Sequence, residues 1–231
     1  MKDVFKDNVF SAREWSAPVM VNTDEIRAKI ESYCLVGKTI KRMKLIGLSY
    51  LHDRYWIEDQ AYNVQYYLEE DERQRKSDYD NIAPDLCLGR FVQIDEPFLI
   101  EFDDGDVFEI DTPQEPEYRF SMNCIPWDIN AGTNYPNLDA DRFFAPCIGR
   151  TIKAIEIKTY VTDEHPMYGD YFDEEHSEYE LVANIILRLD DGNGIRIGGF
   201  FDYCIVDYIN ANDKQCDIPF GDLKLALLNN E

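Results

Sequence analysis

Two segments of the chain share one pattern: an apolar stretch, Asp-Asp-Gly and a second apolar stretch. They are LIEFDDGDVFEI, from Leu99 to Ile110, and ILRLDDGNGIRI, from Ile186 to Ile197. Apolar and polar residues alternate around each turn, which is typical of strands with one buried face. Each segment therefore predicts a β-hairpin, and the two hairpins need a packed sheet to cover their apolar faces.

The alternation also fixes the loop length. A three-residue loop pairs Ile100 with Phe108 in the first segment. The same loop pairs Leu187 with Ile195 in the second segment. A two-residue loop would place Ile100 opposite Glu109, because a slip of one residue moves every side chain to the other face. We therefore expect a type I turn followed by a left-handed glycine in both hairpins.

Further blocks repeat in the same order. VGKTIKRMKLI (36–46) resembles IGRTIKAIEIK (148–158) at an offset of 112 residues. The two Asp-Asp-Gly turns follow at an offset of 87, and FSMNCIPWDINA (120–131) resembles FFDYCIVDYINA (200–211) at an offset of 80. Three blocks in one order predict an internal duplication.

We predict an α+β fold built from two tandem units, 22–133 and 134–231, after an N-terminal extension, 1–21. Each unit is expected to hold a helix followed by a mainly antiparallel sheet with an Asp-Asp-Gly hairpin. The units are expected to be related by a pseudo-twofold axis. They can pack as two half-domains or as one continuous sheet.

Helices are predicted at three places. Asn22 followed by Glu25 is a capping-box pattern, which predicts a helix over 23–34. A short helix is expected over 138–144, before the second copy. A closing helix is expected after Gly221, where LKLALL could also form a strand.

In the first strand of each copy, the alternation of apolar and polar residues shifts by one position part of the way along the strand. Met43 and Leu45 are out of phase with Ile40, and the second copy repeats this pattern. An extra residue in a strand shifts the alternation by one. A β-bulge near Lys41 and another near Lys153 would account for the pattern, and so would a strand that is buried at different faces along its length.

The net charge excludes one large class of partner. The 23 Lys and Arg residues against 46 Asp and Glu give −23, whereas nucleic-acid binding needs a basic footprint. An anionic membrane surface is disfavoured for the same reason. The 15 Tyr, 13 Phe and 3 Trp residues supply enough apolar area for folding.

The location predicted from the sequence is cytoplasmic. The first 20 residues contain no apolar signal segment, and no later window is apolar enough to span a membrane. No C-x-x-C pair is present, so we expect buried free thiols in a soluble protein of a reducing compartment. The cysteines are Cys34, Cys87, Cys124, Cys147, Cys204 and Cys216.

Metal and catalytic motifs are weak. Asp190, Asp191 and Asn193 offer about three oxygens, whereas a calcium loop needs about six or more. The chain has no H-E-x-x-H, G-x-S-x-G or phosphate-binding glycine loop. We predict no cofactor and no catalysis, and keep as an alternative a metal-dependent hydrolase that uses His165, His176 and nearby carboxylates.

Aromatic and acidic residues concentrate between the first strand and the hairpin of each copy, in 49–80 and 159–180. Tyrosine gives a large contact area at low entropic cost, so such segments are typical of binding surfaces. The same residues could instead pack a core and line a solvated face. The candidate binding residues are Tyr50, Asp53, Trp56, Tyr160, Asp163, Glu164, Asp173, Glu174 and Glu175.

Charges of one sign cluster along the sequence. The stretch 95–117 holds ten acidic residues and no Lys or Arg, and 161–180 holds eight acidic residues and again none. Four basic residues stand together on the first strand at 38–44. Segregated charge can steer a partner of opposite sign, although global acidity for solubility explains the composition too.

These features predict a non-catalytic acidic binding module whose partner is a basic protein surface. An inhibitor or immunity protein for a cationic toxin or nuclease is an example by physical analogy alone. A small-ligand binder between the two repeats is a further alternative.

Overall fold

The computed structural model describes residues 5–46, 91–94, 97–113, 115–130, 138–140, 144–162, 179–200, 203–214 and 216. Within these ranges the chain forms one α-helix and eleven strands, which pair antiparallel in two sheets. The arrangement is of the α+β class.

The first sheet has six strands. They are β1 (Val19–Met20), β2 (Ile40–Leu45), β4 (Phe98–Phe102), β5 (Val107–Asp111), β6 (Tyr118–Met122) and β7 (Leu138–Asp139). Their order in the sheet is β1-β6-β5-β4-β2-β7.

The second sheet has five strands. They are β3 (Phe91–Ile94), β8 (Ile152–Thr162), β9 (Tyr179–Leu189), β10 (Gly194–Phe200) and β11 (Tyr203–Ile209). Their order in the sheet is β3-β11-β10-β9-β8.

Both sheets contain a four-strand meander. The spatial order is β2-β4-β5-β6 in the first sheet and β8-β9-β10-β11 in the second. Each half of the chain also gives a strand to the other sheet, because β3 pairs with β11 and β7 pairs with β2. The chain therefore passes between the two sheets three times, from β2 to β3, from β3 to β4 and from β7 to β8.

The Asp-Asp-Gly segments lie at hairpin turns in both sheets. Ile100 pairs with Phe108, and Leu187 pairs with Ile195, which are the partners expected for three-residue loops. The turn glycines have positive φ angles of 88° at Gly105 and 87° at Gly192. Glycine suits this left-handed conformation because it has no Cβ atom to clash.

Both predicted bulges are confirmed. The register of β2 against β4 skips one residue at Lys41. The register of β8 against β9 skips one residue at Lys153. The extra residue explains why the apolar alternation changes phase at the same place in both strands.

The starts of β2 and β8 lie side by side and bond reciprocally. Four main-chain hydrogen bonds join the two segments, and the second two repeat the first two at an offset of 112 residues. They run from Gly37 N to Ile152 O (2.8 Å), from Ile40 N to Arg150 O (2.9 Å), from Gly149 N to Ile40 O (2.8 Å) and from Ile152 N to Lys38 O (2.9 Å). The Thr39 and Thr151 hydroxyl oxygens, 3.0 Å apart, lie between them.

The third sequence match fails in register. Ile110 and Ile197 each stand five residues after the turn glycine of their hairpin. Ile110 pairs with Phe120, and Ile197 pairs with Val206. The positional counterpart of Phe120 is therefore Val206, at an offset of 86, while Phe200 ends the preceding strand. The sequence match compared residue identities without strand pairing, and its register therefore differs from that of the strands.

The first predicted helix is confirmed as α1 (Thr23–Ser32). The Asn22 side chain accepts hydrogen bonds from the main-chain N–H groups of Asp24 (3.0 Å) and Glu25 (3.1 Å). This cap satisfies two of the donors that a helix N-terminus leaves unpaired. Ile26 and Ile30 are fully buried on one helical face.

The predicted helix over 138–144 is wrong at its start. Leu138 and Asp139 form β7, where they pair with Leu45 and Lys44 of β2. Pairing with a strand edge outweighs the weak helical preference of such a short segment. A 3-10 helix follows at Ala145–Cys147. The closing helix expected after Gly221 lies outside the described residues.

The two sheets share one hydrophobic core. Buried side chains from α1, the first meander and the second meander belong to a single cluster. A second cluster covers the outer face of the first sheet, where Phe10 and Trp15 pack over Leu99 and Val107. The first sheet is consequently buried on both faces, contrary to the single buried face that the alternation suggested.

Candidate functional site

Most of the sequence-predicted site lies outside the described residues. Tyr160 is the one candidate binding residue within them. The remaining candidates lie outside, namely Tyr50, Asp53, Trp56, Asp163, Glu164, Asp173, Glu174 and Glu175. The three histidines, His52, His165 and His176, also lie outside.

Tyr160 lies near the end of β8 and joins the two sheets. Its hydroxyl donates a hydrogen bond to Oε1 of Glu115 at 3.3 Å. Burial raises the pKa of Tyr160 to about 12, and the Glu115 carboxylate adds to the shift. The phenol is therefore a neutral donor at physiological pH, and it fixes the loop after β5 against the second sheet.

The first acid-only stretch does not form a continuous exposed surface. Glu101, Glu109 and Asp111 are buried in the first sheet. Glu101 accepts hydrogen bonds from Lys41 and from Arg42 on the neighbouring strand. The expectation that this stretch projects a negative field is wrong for these three residues, because the outer face on which they lie is covered.

Glu109 is fully buried and saturated with donors. Its Oε1 atom accepts hydrogen bonds from the main-chain N–H groups of Cys124 (2.8 Å) and Ile125 (2.9 Å). Its Oε2 atom accepts from the Ser121 hydroxyl, which in turn accepts from the Trp15 indole N–H at 2.8 Å. A buried carboxylate is tolerated where charge-assisted hydrogen bonds replace its water.

The N-terminal segment is held over this network by Arg119. The guanidinium carbon lies 4.5 Å from the centroid of the Trp15 ring. Its nitrogens donate to the carbonyl groups of Ala12 (3.1 Å), Trp15 (2.7 Å) and Ala17 (3.2 Å). Sequence reasoning treated 1–21 as an extension and missed this role, although the spacing of its aromatic residues was a usable signal.

The basic cluster on the first strand is paired with the hairpin acids. Lys38 donates to Asp104 and, at 2.7 Å, to Asp106. Burial opposes the charge, but these two hydrogen bonds outweigh it and raise the pKa of Lys38. Arg150 lies in the corresponding place of the second half, 3.7 Å from Asp190 and 3.6 Å from Asp191.

The outer face of the second sheet also carries paired charges. Arg188 Nε donates to Glu156 at 2.7 Å, and the same guanidinium reaches Asp213. The Arg188 hydrogen bond is the main cause that lowers the pKa of Glu156 to about 2, against the opposing effect of burial. Arg196 forms a two-pronged contact with the buried Asp207.

The described residues account for a small part of the net charge. They contain 15 Lys and Arg residues against 21 Asp and Glu, a difference of −6. The remaining −17 of the total of −23 belongs to the other residues. The segment 163–178 contributes seven acidic residues and no Lys or Arg.

That acidic segment connects the ends of a two-stranded ribbon. The pairing of β9 with β10 stops at Asn184 and Gly198. The pairing of β8 with β9 continues for four more pairs, from Thr159 with Val182 to Thr162 with Tyr179. The covalent attachment points of 163–178 therefore lie beyond the end of the central strands of this sheet.

The described cysteines are free thiols in different surroundings. Cys147 and Cys204 are buried, and burial raises the pKa of Cys204 to about 12. Cys34 is exposed after α1 at a φ of 52°, so its expected burial is wrong. Apolar neighbours in the sequence do not bury a residue that lies at the turn between a helix and a strand.

No group of three or more His, Cys, Asp or Glu side chains within the described ranges is placed to hold a metal ion. Nor does any helix in this part of the chain have the length and apolar character needed to span a membrane. No protein-family model, curated protein or solved structure matches the chain.

Proposed function

We propose that the protein is a non-catalytic acidic binding module that engages a basic surface of another protein. The observation that carries this proposal is the distribution of charge. Acidic residues of the two sheets are largely buried or paired with Lys and Arg, while −17 of the net charge belongs to other residues. The acid-only segment 163–178 is attached at the end of the β8–β9 ribbon.

A local excess of one charge raises the rate at which an oppositely charged partner arrives. A rigid sheet that supports an acidic segment is suited to this task because the scaffold neutralises its own charges. An inhibitor of a cationic toxin or nuclease has this physical character. The resemblance to such proteins is one of charge, and no shared sequence supports it.

We also propose that the chain is a duplicated pair of units, 22–133 and 134–231, related by a pseudo-twofold axis. The reciprocal hydrogen bonds around Thr39 and Thr151, the two matching bulges and the two matching hairpins support this. The acidic segments 47–90 and 163–178 then follow the first meander strand of each unit. Such a module offers its partner two acidic segments.

We place the module in the cytoplasm. The five described cysteines are thiols, and three of them, Cys34, Cys124 and Cys216, are at least partly exposed. Exposed thiols persist in a reducing compartment.

A charge-reversal experiment tests the function. Five acids of the acidic segment, Asp163, Glu164, Asp173, Glu174 and Glu175, are replaced by Lys in the full chain. The matched control replaces five exposed acids elsewhere by Lys, namely Asp7, Glu14, Glu31, Asp103 and Asp128. Both variants change the net charge equally. A difference between the two variants therefore shows an effect of where the charge lies and not of the total charge.

A basic protein captured by the full chain at low salt is the probe for both variants. The first variant should slow association by about tenfold or more and change dissociation little, since steering acts on encounter. The control should slow association by much less. Binding that survives about 0.5 M salt, or equal effects of both variants, would contradict the proposal. Stoichiometric zinc that disappears in His165→Ala and His176→Ala would overturn the proposal and support the metal site of the hydrolase alternative.

A further inference from the structure

Strand β8 ends the second sheet with an edge that has no strand beside it among the described residues. Its counterpart in the first sheet, β2, is covered at this edge by β7. The difference shows in burial, because Met43 and Leu45 of β2 are fully buried. The residues at the matching places of β8, Ile155 and Ile157, are only partly buried.

The open part of this edge begins after the bulge. At Ile152 the edge is occupied, since its C=O accepts from Gly37 N and its N–H donates to Lys38 O. From Ala154 to Val161, β9 is the strand that pairs with β8 among the described residues, and the opposite edge of β8 has no described strand beside it. Exposed strand edges of this length readily pair with another chain.

The hairpin fixes which main-chain groups point outward. Leu189 N donates to Asn193 O across the β9–β10 turn at 2.8 Å. Groups of successive strand residues alternate in direction, so Leu189, Leu187 and Ile185 face β10, and Arg188, Ile186 and Asn184 face β8. The register shifts again between Lys158 and Thr159, where β9 has one extra residue, Ala183, and β8 has none, so the alternation along β8 continues through Thr159. By the same alternation, Ile155, Ile157 and Thr159 of β8 turn their N–H and C=O groups to the open edge.

We propose that this edge pairs antiparallel with the same edge of a second copy of the chain, centred on Ile157. The twofold axis then places Ile157 opposite Ile157 of the second copy and Ile155 opposite Thr159. These are the residues whose main-chain groups face outward, and the pairing forms about six backbone hydrogen bonds. A twofold interface uses the same patch on both copies, as most homodimers do.

Charge selects this register. Within one copy Lys158 Nζ lies 3.0 Å from Glu156 Oε2. With the axis at Ile157, Glu156 of each copy also lies opposite Lys158 of the other, and opposite charges across a strand pair are stabilising. An axis at Lys158 would place two lysines opposite one another. Lysine on a strand edge ordinarily discourages pairing, but here each Lys158 lies opposite Glu156 of the other copy. The sequence Glu-Ile-Lys is therefore complementary to itself.

Sedimentation of the full chain tests the pairing. A concentration-dependent dimer is expected. Because each copy carries −23, the dimer should become tighter when salt rises from about 0.05 M to about 0.5 M and screens the repulsion. This trend is opposite to that expected for a basic partner, so the two proposals fail independently. A chain that stays monomeric at high concentration and high salt would refute the dimer.

Lys158→Glu is the decisive variant, and Lys153→Glu is its matched control. Both residues are exposed on β8 and both changes alter the net charge equally, but Lys153 lies in the bulge. Lys158 also pairs with Glu156 of its own copy at 3.0 Å, so the unfolding free energy of each variant is measured beside its dimerisation. Lys158→Glu should weaken the dimer by about tenfold or more, because two attractive pairs become repulsive. Lys153→Glu should weaken it much less. Equal weakening by both would overturn the proposed register.

Hydrogen exchange gives a readout independent of charge. The amides of Ile155, Ile157 and Thr159 should become protected as the protein concentration rises, while those of α1 should not change. Protection of these three amides in the monomer would mean that the chain covers its own edge, and would refute the proposal. Protection that appears only in a monomer bound to another protein would refute it as well.

Discussion

Glu109 offers the sharpest test of how the first sheet is built. Its carboxylate is fully buried and accepts from two main-chain N–H groups and from the hydroxyl of Ser121. Glu109→Ala leaves all three donors buried without an acceptor. A hydrogen bond to a charged group contributes about 1.5–3 kcal/mol, and the relief of a buried charge offsets part of the sum. We expect a loss of about 3–5 kcal/mol in the free energy of unfolding.

Glu109→Gln separates the charge from the hydrogen bonds. The amide oxygen can still accept from the N–H groups of Cys124 and Ile125. The amide nitrogen cannot accept a hydrogen bond, so the Ser121 O–H loses the acceptor that Glu109 Oε2 supplied. The expected loss is therefore smaller, about 1–2 kcal/mol for one compromised hydrogen bond.

Urea unfolding followed by circular dichroism measures both losses. Asp103→Asn is the control, because Asp103 belongs to the same acid-only stretch but is exposed at the hairpin tip. It should change the unfolding free energy by no more than about 0.5 kcal/mol. If Glu109→Ala proved as mild as this control, Glu109 would be solvated and the N-terminal segment would not cover the sheet.

Four other outcomes are expected. Gly105→Val and Gly192→Val should each lower the unfolding free energy by about 1–2 kcal/mol in urea titrations, because β-branched residues resist the positive φ angles of 88° and 87°. Gly198→Ala should cost about 1–3 kcal/mol, since its Cβ would lie 2.9 Å from a main-chain oxygen. The pKa of Glu156 is about 2 in the folded state, below its ordinary 4.5. Its contribution to the unfolding free energy is therefore present above pH 4.5 and is lost as the pH falls toward 2. Glu156→Gln should reduce this loss of stability at acid pH by about 1 kcal/mol, because solvent screens a partly exposed pair. Calcium should not raise the thermal midpoint, whereas a filled site at a hundredfold excess over its dissociation constant would add about 2.7 kcal/mol.

Local patterns predicted local structure well. The parity of apolar residues around Gly105 and Gly192 predicted the strand pairs that the structure has, because one buried face is enough to fix a register. The Asn22 cap predicted the start of α1, and the phase change at Lys41 predicted a bulge. Each of these inferences depends on residues within a few positions of one another.

Patterns that depend on distant pairing were less informative. The sequence match of Phe120 with Phe200 compared letters, whereas the ladder makes Val206 the counterpart. The strand β7 was predicted as helix because its partner β2 lies far away in the chain. The covering of the first sheet by Trp15 and Arg119 was not predicted, since it joins residues about a hundred positions apart.

Charge was the feature most easily misjudged from sequence. The basic residues at 38–44 and the acids of 95–117 form separate blocks in the chain. The antiparallel pairing of β2 with β4 brings the blocks together, so that Glu101 meets Lys41 and Arg42. Segregation along a sequence is therefore no measure of segregation on a surface when the two blocks lie on neighbouring strands.

The second sheet also has an ion pair between its first two meander strands, with the signs exchanged and a diagonal geometry, since Arg188 lies opposite Ala154. Glu101 of β4 pairs with Arg42 of β2, and Arg188, which precedes its turn glycine by the same four residues, pairs with Glu156 of β8. The feature common to both sheets is thus a cross-strand pair between the first two meander strands, whichever strand carries the acid. Pairs of either sign leave little net charge on the scaffold. Most of the excess negative charge therefore belongs to residues outside these ion pairs. Charge used to attract a partner is expected at such unpaired residues.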